Sequence, residues 1–182
     1  NELLAEGIKM SSFRALTDND KKMAELWSKQ TTWRGENIDV HMTNIYKVSI
    51  SKNTIIAEGS LGGISIMPYF KFKLKTTIYA NGTIAYSLTG DVRQDAVWLP
   101  RLGFEFALNG KNKEFTYFGM GPDENYCDMC HHVRQDFFRS SADNEYVPYV
   151  RPQEHGNHTR ARMLNIEDTI EILKGIKKYY ED

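Results

Sequence analysis

A regular alternation of side chains restricts this chain most strongly to an antiparallel β fold. From Phe70 to Ile78 every second residue is apolar or Thr, and three of the residues between them are Lys71, Lys73 and Lys75. Successive side chains of a strand point to opposite faces, so one face is predicted to be buried and the lysine face solvated rather than phosphate-binding. The Asn81-Gly82 pair predicts a type I′ turn, which makes the stretch from Tyr69 to Leu88 a predicted hairpin.

Further strands are predicted on both sides of this hairpin. A strand pattern runs from His41 to Gly59 around a turn at residues 51–53, and it breaks between Gly59 and Gly63. The remaining predicted strands are Leu102–Leu108, Phe115–Phe118, Thr159–Leu164 and, in an ambiguous segment, residues 169–173. The Pro-rich stretch Tyr146–Pro152 is excluded as a central strand, because proline lacks the backbone donor. One short helix is predicted near 21–29, where Met23, Leu26 and Trp27 have helical spacing.

Composition and net charge limit the classes of protein to which this chain can belong. The chain has 182 residues, 41% of them hydrophobic, and its 23 basic and 24 acidic residues give a net charge of −1. This predicts one globular domain over residues 1–182, with no overall field that would attract nucleic acid or an anionic membrane. The first residues lack the basic flank and apolar run of a signal peptide, and no run of membrane-spanning length follows, so a cytoplasmic location is expected.

A dense polar turn follows the aromatic pair Tyr117-Phe118. Gly121 and Pro122 predict a change of chain direction, and Asp123, Glu124 and Asn125 then place several acceptors on a short arc. Such a group suits a turn capped by its own side chains, or binding of a sugar or a hard cation. The Gly-x-Gly opening is not a dinucleotide fingerprint, because Glu124 stands where the third glycine is required.

Four stretches carry a resemblance to a known family. They are Phe13-Arg-Ala-Leu-Thr-Asp-Asn-Asp20, Leu99-Pro-Arg-Leu-Gly103, Gly119-Met-Gly-Pro-Asp-Glu-Asn-Tyr-Cys-Asp128 and Tyr146-Val-Pro-Tyr-Val-Arg-Pro-Gln-Glu-His-Gly-Asn157. In sequence and order they resemble signatures of the C-terminal β-sandwich domain of the large β-galactosidases of glycoside hydrolase family 2. The resemblance runs from about residue 2 to 164. Because the family's domain extends further at both ends, the chain is expected to be a fragment of it.

The resemblance implies an all-β antiparallel super-sandwich of the galactose mutarotase-like kind. It also implies a parent enzyme that hydrolyses terminal β-D-galactosides with retention, uses magnesium and sodium bound elsewhere, and forms a homo-oligomer. The family's two catalytic Glu residues lie on a separate TIM-barrel domain, so this chain is expected to contain no catalytic or metal-ligating residue and no cofactor. Its partners would be the remaining domains and the galactoside. The expected substrate-site loop comprises Thr17, Asp18, Asn19 and Asp20, and the expected structural turn comprises Gly121, Pro122, Glu124, Asn125 and Tyr126.

The titratable residues agree with a supporting role. Glycoside hydrolysis needs two carboxyl groups in different environments, whereas Asp18 with Asp20, or Asp123 with Glu124, are close neighbours on polar turns. Cys127-x-x-Cys130-His131 matches haem and zinc patterns superficially, but no second pair of cysteines closes a zinc site. We predict reduced, metal-free thiols. Nearby His155 and His158 are interpreted as local hydrogen-bonding groups.

Two alternatives from other classes remain open at this stage. The chain could come from a separately encoded small subunit that completes a β-galactosidase. It could instead be a free-standing galactose-binding or mutarotase-like module, in which case a His and a Glu would have to converge in a cleft.

Overall fold

The structure is a computed structural model that describes residues 4–20, 38–64, 66–96, 98–108 and 114–166. It contains the strands β1 (Lys9–Ser11), β2 (Met42–Ser51), β3 (Thr54–Gly62), β4 (Phe70–Ile78), β5 (Ile84–Val92), β6 (Gly103–Glu105), β7 (Glu114–Gly121), β8 (Arg134–Ser141) and β9 (Met163–Ile166), with one 3-10 helix at Ile38–Val40. Strands β2 to β5 form a four-stranded sheet in chain order, β8-β7-β9 a three-stranded sheet, and β1-β6 a two-stranded sheet.

Nearly all regular structure in these ranges is β, and the pairings within the two larger sheets are antiparallel. The all-β antiparallel prediction is therefore confirmed, and it is consistent with a sandwich. The helix predicted near 21–29 and the strand predicted at 169–173 lie outside the described residues. Within the described ranges, no helix has the length and apolar character needed to cross a membrane.

The chain forms two compact units. The meander unit comprises Met10–Arg14 and Asn19–Glu105, and the motif unit comprises Asn1–Lys9, Ala15–Asp18 and Phe106–Asp182. The single-domain organisation stays a prediction.

The predicted hairpin of the meander unit is β4 and β5, paired from Phe70↔Val92 to Ile78↔Ile84. Phe70 and Phe72 are buried while the three lysines between and after them are exposed, as the alternation predicted. These two rings pack in a core with four further side chains, namely Met10, Ile38, Leu61 and Tyr69. The Tyr69 hydroxyl is satisfied inside that core by the Ser12 hydroxyl at 2.6 Å.

The type I′ prediction for the turn between β4 and β5 is wrong. Gly82 has the expected positive φ of 85°, but Asn81 does not have a positive φ. The Gly82 N–H donates to Tyr79 O at 3.0 Å, which centres the turn on Ala80-Asn81. Asn81 then uses its side-chain oxygen to accept the Thr83 N–H at 3.0 Å, so the loop is a three-residue connection with glycine in the left-handed position.

The predicted break at Gly59 is also wrong, because β3 continues through this residue to Gly62. Gly59 faces Ile45 on one side and Phe72 on the other, next to a register shift between Ile45 and Lys47. A Cβ at this position would lie 2.3 Å from Asn44 O and 2.9 Å from Phe72 Cζ. The glycine therefore permits a close approach of neighbouring strands rather than ending one.

Two other predicted strands are shorter or shifted. The alternation over Leu102–Leu108 yields only the three residues of β6, and the strand predicted at Thr159–Leu164 begins later, as β9. In the motif unit β7 is the central strand, paired with β8 along its whole length and with β9 from Phe115 to Phe118. No strand forms at Tyr146–Pro152, as the prolines predicted.

Candidate functional site around the Glu124–Asn125 turn

The candidate site begins where β7 ends. Gly121 is the last residue of β7 and precedes Pro122 through a cis peptide bond. A Cβ on Gly121 would lie 2.3 Å from the Tyr117 hydroxyl oxygen and 2.8 Å from the Phe138 ring, so this position requires glycine for close packing. The chain then turns, and Glu124 and Asn125 form hydrogen bonds with the segment at 156–159.

Asn125 holds the turn from the inside. Its side chain is fully buried, its Nδ2 donates to Met120 O at 3.0 Å and to Asp123 O at 3.1 Å, and its Oδ1 accepts the Thr159 N–H at 2.8 Å and the Thr159 hydroxyl at 2.5 Å. The backbones are also joined, because the Asn125 N–H donates to Asn157 O at 2.7 Å. Both donors and both acceptor positions of the amide are occupied, which leaves none for a ligand.

Glu124 occupies the outer side of the same turn. Its Oε2 accepts the Gly156 N–H at 2.8 Å, its Oε1 accepts the Tyr149 hydroxyl, and its backbone oxygen accepts from His132 Nε2 at 3.0 Å. The hydrogen bond to this carboxylate is the main cause that raises the pKa of Tyr149, followed by burial. Glu124 therefore acts as an acceptor that ties three parts of the chain together.

The predicted substrate loop divides between the two units. Thr17 and Asp18 belong to the motif unit, where the Asp18 N–H donates to Gln153 Oε1 at 3.0 Å and the Glu154 N–H donates to Leu16 O at 3.3 Å. The Asp18 side chain is exposed, as is that of Asn19 in the meander unit. Asp20 is buried and pairs with Arg14 at 2.5 Å, so its carboxylate serves an internal ion pair.

A second polar cluster lies under the turn. The His158 ring has its Nδ1 3.1 Å from Met120 O and its Nε2 2.8 Å from Glu145 Oε2. Carbonyl and carboxylate oxygens only accept, so each ring nitrogen faces an acceptor. The Tyr117 hydroxyl donates to Pro122 O at 3.3 Å and lies 3.1 Å from the same Nδ1. Burial, then the negative charges of Glu145 and Asp123, raise the pKa of Tyr117 to about 12.

This pKa predicts a loss of stability in alkali. Tyr117 binds its proton more tightly in the folded chain than in the unfolded chain, where its pKa is about 10. Its contribution is therefore complete below about pH 10 and is lost as the pH rises through about 12. We expect the free energy of unfolding to fall over this range, and Tyr117→Phe to make the fall shallower.

Urea denaturation at several alkaline pH values measures this slope directly. The matched control is Tyr79→Phe, since the Tyr79 side chain is exposed. A slope that is the same in Tyr117→Phe as in the unsubstituted chain would contradict the assignment.

A pocket of about 400 Å³ adjoins this cluster in the motif unit, lined by Leu108, Phe115, Tyr117, Ala142, Gly156, His158, Ala161, Leu164 and Ile166. The mutarotase alternative would require a His and a Glu that both face one cavity. His158 lines this pocket, but Glu145 is not among the described lining residues. The two side chains instead contact each other, with His158 Nε2 2.8 Å from Glu145 Oε2. The geometry does not favour sugar isomerisation here.

The cysteines lie on a tight turn beyond the candidate site. Tyr126 and Met129 exchange two backbone hydrogen bonds of 3.0 Å, which places exposed Cys127 in a two-residue connection. Half-buried Cys130 lies 3.9 Å from Cys127 O, and neither cysteine is in a disulfide. Over the described ranges, no three His, Cys, Asp or Glu side chains are grouped to hold a metal ion. Whether the thiols remain reduced and metal-free in solution stays a prediction.

The structure adds partners that the sequence did not identify. It connects Glu124 to Tyr149, Asp18 to Gln153 and His158 to Glu145. Glu124, Tyr149 and Gln153 fall inside the third and fourth motifs and Asp18 inside the first, whereas His158 and Glu145 fall outside all four. The motifs therefore marked the segments of the first two pairs without indicating the pairs. The interpretation of His155 and His158 as hydrogen-bonding groups is confirmed, since His155 Nδ1 donates to Glu145 O at 3.0 Å.

Comparisons with known proteins identify the family. The family model described as the β-galactosidase small chain matches residues 1–178. β-Galactosidase from Kluyveromyces lactis is 32% identical over 174 residues and those from Priestia megaterium and Streptococcus thermophilus are 28% identical, with 89%, 91% and 92% of this chain covered. The chain spans only about 16% of the length of each of these relatives. It belongs to the β-galactosidase small chain family.

Proposed function

We propose that this chain is part of the C-terminal sandwich domain of a β-galactosidase and forms one wall of its galactoside site without supplying the catalytic groups. The observation that carries the proposal is the match to the small chain family over nearly the whole sequence, at about 16% of the length of its relatives. The parent would hydrolyse terminal β-D-galactosides with retention.

The side-chain environments support a non-catalytic role. A retaining glycosidase needs two carboxyl groups about 5 Å apart that both face the sugar. Glu124 is engaged by Tyr149 and Gly156, Glu145 by His158, and Asp20 by Arg14. The acid and the nucleophile are therefore assigned to another domain of the parent, as the family resemblance implies.

The exposed side chains of Asp18 and Asn19 are the groups we assign to the substrate. Carboxylate and amide oxygens accept hydrogen bonds from sugar hydroxyls, and both side chains reach solvent at the loop. Magnesium and sodium, implied for the parent by the family resemblance, are assigned to other parts of the enzyme, because the described residues offer no grouped ligands. The proposed partners are the other domains of a cytoplasmic homo-oligomer.

A replacement experiment tests this function. In the Kluyveromyces lactis enzyme, the segment that matches this chain is replaced by the chain itself, and hydrolysis of nitrophenyl β-galactoside is measured beside circular dichroism and sedimentation. We expect the chimera to hydrolyse the substrate, whereas the same enzyme without the segment and this chain alone do not.

Two results would contradict the proposal. One is turnover by the isolated chain above that of a variant without Asp18, Glu124 and Glu145 carboxylates. The other is a chimera with native size and spectrum that does not bind galactoside. Purified chain added in trans to the shortened enzyme gives a second route to the same comparison if the fused form does not fold.

A further inference from the structure

Leu16 and Asp18, at the start of the Asp18 loop, contact residues 153 and 154 of the motif unit. Two hydrogen bonds join them: Asp18 N–H to Gln153 Oε1 at 3.0 Å, and Glu154 N–H to Leu16 O at 3.3 Å. The first of these uses a side chain that is 135 residues away in sequence. Removal of that side chain would therefore loosen the loop without altering any residue of it.

The segment that carries Gln153 is itself tied to the Glu124 turn. Gln153 Oε1 accepts from the Asp18 N–H, and four residues earlier the Tyr149 O–H donates to Glu124 Oε1. The residue that contacts the Asp18 loop therefore lies close in sequence to one that is anchored at the turn.

Glu124 fixes this segment on both sides of Gln153. It accepts from the Tyr149 hydroxyl and from the Gly156 N–H, and its neighbour Asn125 is fully buried with every polar atom of its side chain engaged. A loop bonded to a fixed segment is held more firmly than one bonded to a mobile segment, because the fixed segment has already lost its conformational freedom.

From these contacts we infer that Gln153 is a positioning residue that sets the place of the Asp18 loop at the galactoside site. The inference rests on the proposed function for its effect on substrate, but not for its effect on the loop. Gln153 acts through Asp18 and is not itself assigned to the sugar.

The first test measures the loop alone. Hydrogen exchange of the Asp18 amide in the 182-residue chain is compared for Gln153→Ala, Tyr149→Phe and the matched control Gln135→Ala, whose side chain is exposed on β8. Loss of one net hydrogen bond predicts about 3- to 10-fold faster exchange in Gln153→Ala. We expect a smaller increase in Tyr149→Phe, where the Asp18 bond remains but the segment loses its Tyr149 hydrogen bond to Glu124, and none in the control.

The second test measures the substrate. In the chimeric enzyme, Gln153→Ala is expected to raise KM for nitrophenyl β-galactoside by about 3- to 10-fold with kcat nearly unchanged, since the loop binds the sugar equally before and in the transition state. Unchanged Asp18 exchange in Gln153→Ala would overturn the inference. So would faster exchange without a change in KM in an active chimera, which would leave the proposed function standing. An inactive but folded chimera would count against the proposed function instead.

Discussion

Asn125→Ala is expected to lower the free energy of unfolding by about 3 kcal/mol or more, because each buried polar group left without a partner costs about 1–3 kcal/mol. The substitution strips partners from the carbonyl of Asp123 and from two donors of Thr159, whereas Met120 O keeps its contact with His158 Nδ1. Asn125→Asp should be similarly harmful, since a carboxylate would keep the acceptors but face two carbonyl oxygens. Urea denaturation followed by circular dichroism measures both effects.

The matched control for this prediction is Asn44→Ala, which shortens the same type of side chain where it is exposed on β2. Its expected effect is within about 0.5 kcal/mol. Equal stability of Asn125→Ala and Asn44→Ala would show that water replaces the lost partners and that the turn does not depend on this amide. A galactoside effect in the chimera without any loss of stability would favour a direct ligand role for Asn125.

The fold could be predicted where information is local. Alternation placed the four strands β2 to β5 because burial of one sheet face leaves a period of two in the sequence, as at Phe70 and Phe72. The prediction failed where the role of a residue depends on its contact with a residue on another strand. Gly59 is indistinguishable in sequence from a strand breaker, and only its distance to Asn44 O shows that the strand needs it.

The candidate site was predictable to a similar extent. Motif resemblance located the turn at Glu124 and the loop at Asp18, because both carry distinctive residue combinations. It could not show that Gln153 contacts Asp18 or that Glu145 pairs with His158, since these contacts depend on tertiary packing and not on spacing. The burial of Asp20 was also not predictable. Its position in a run of polar residues is typical of an exposed side chain, whereas in the structure it is buried and forms an ion pair with Arg14.

Gly59→Ala is the second large effect that we expect. In the central part of β3 an added methyl group would meet Asn44 O at 2.3 Å and the Phe72 ring at 2.9 Å. The first obstacle is backbone, so relief requires β2 to move away, and the second is a buried core ring. Overpacking of this kind costs about 1–3 kcal/mol, and it must also overcome the roughly 0.4–1 kcal/mol that alanine gains by restricting the unfolded chain.

Gly103→Ala provides the control with the opposite expected sign. Gly103 lies in β6 of the same unit, its φ is not in the left-handed region, and nothing lies within 4 Å of a Cβ added there. Because no clash offsets the entropic gain, this variant should be unchanged or more stable by up to about 1 kcal/mol. Thermal and urea unfolding of both variants therefore separate close strand approach from the general cost of replacing glycine. If Gly59→Ala proved as stable as Gly103→Ala, β2 and β3 would have to be able to separate freely at the bulge, and the glycine would have no packing role.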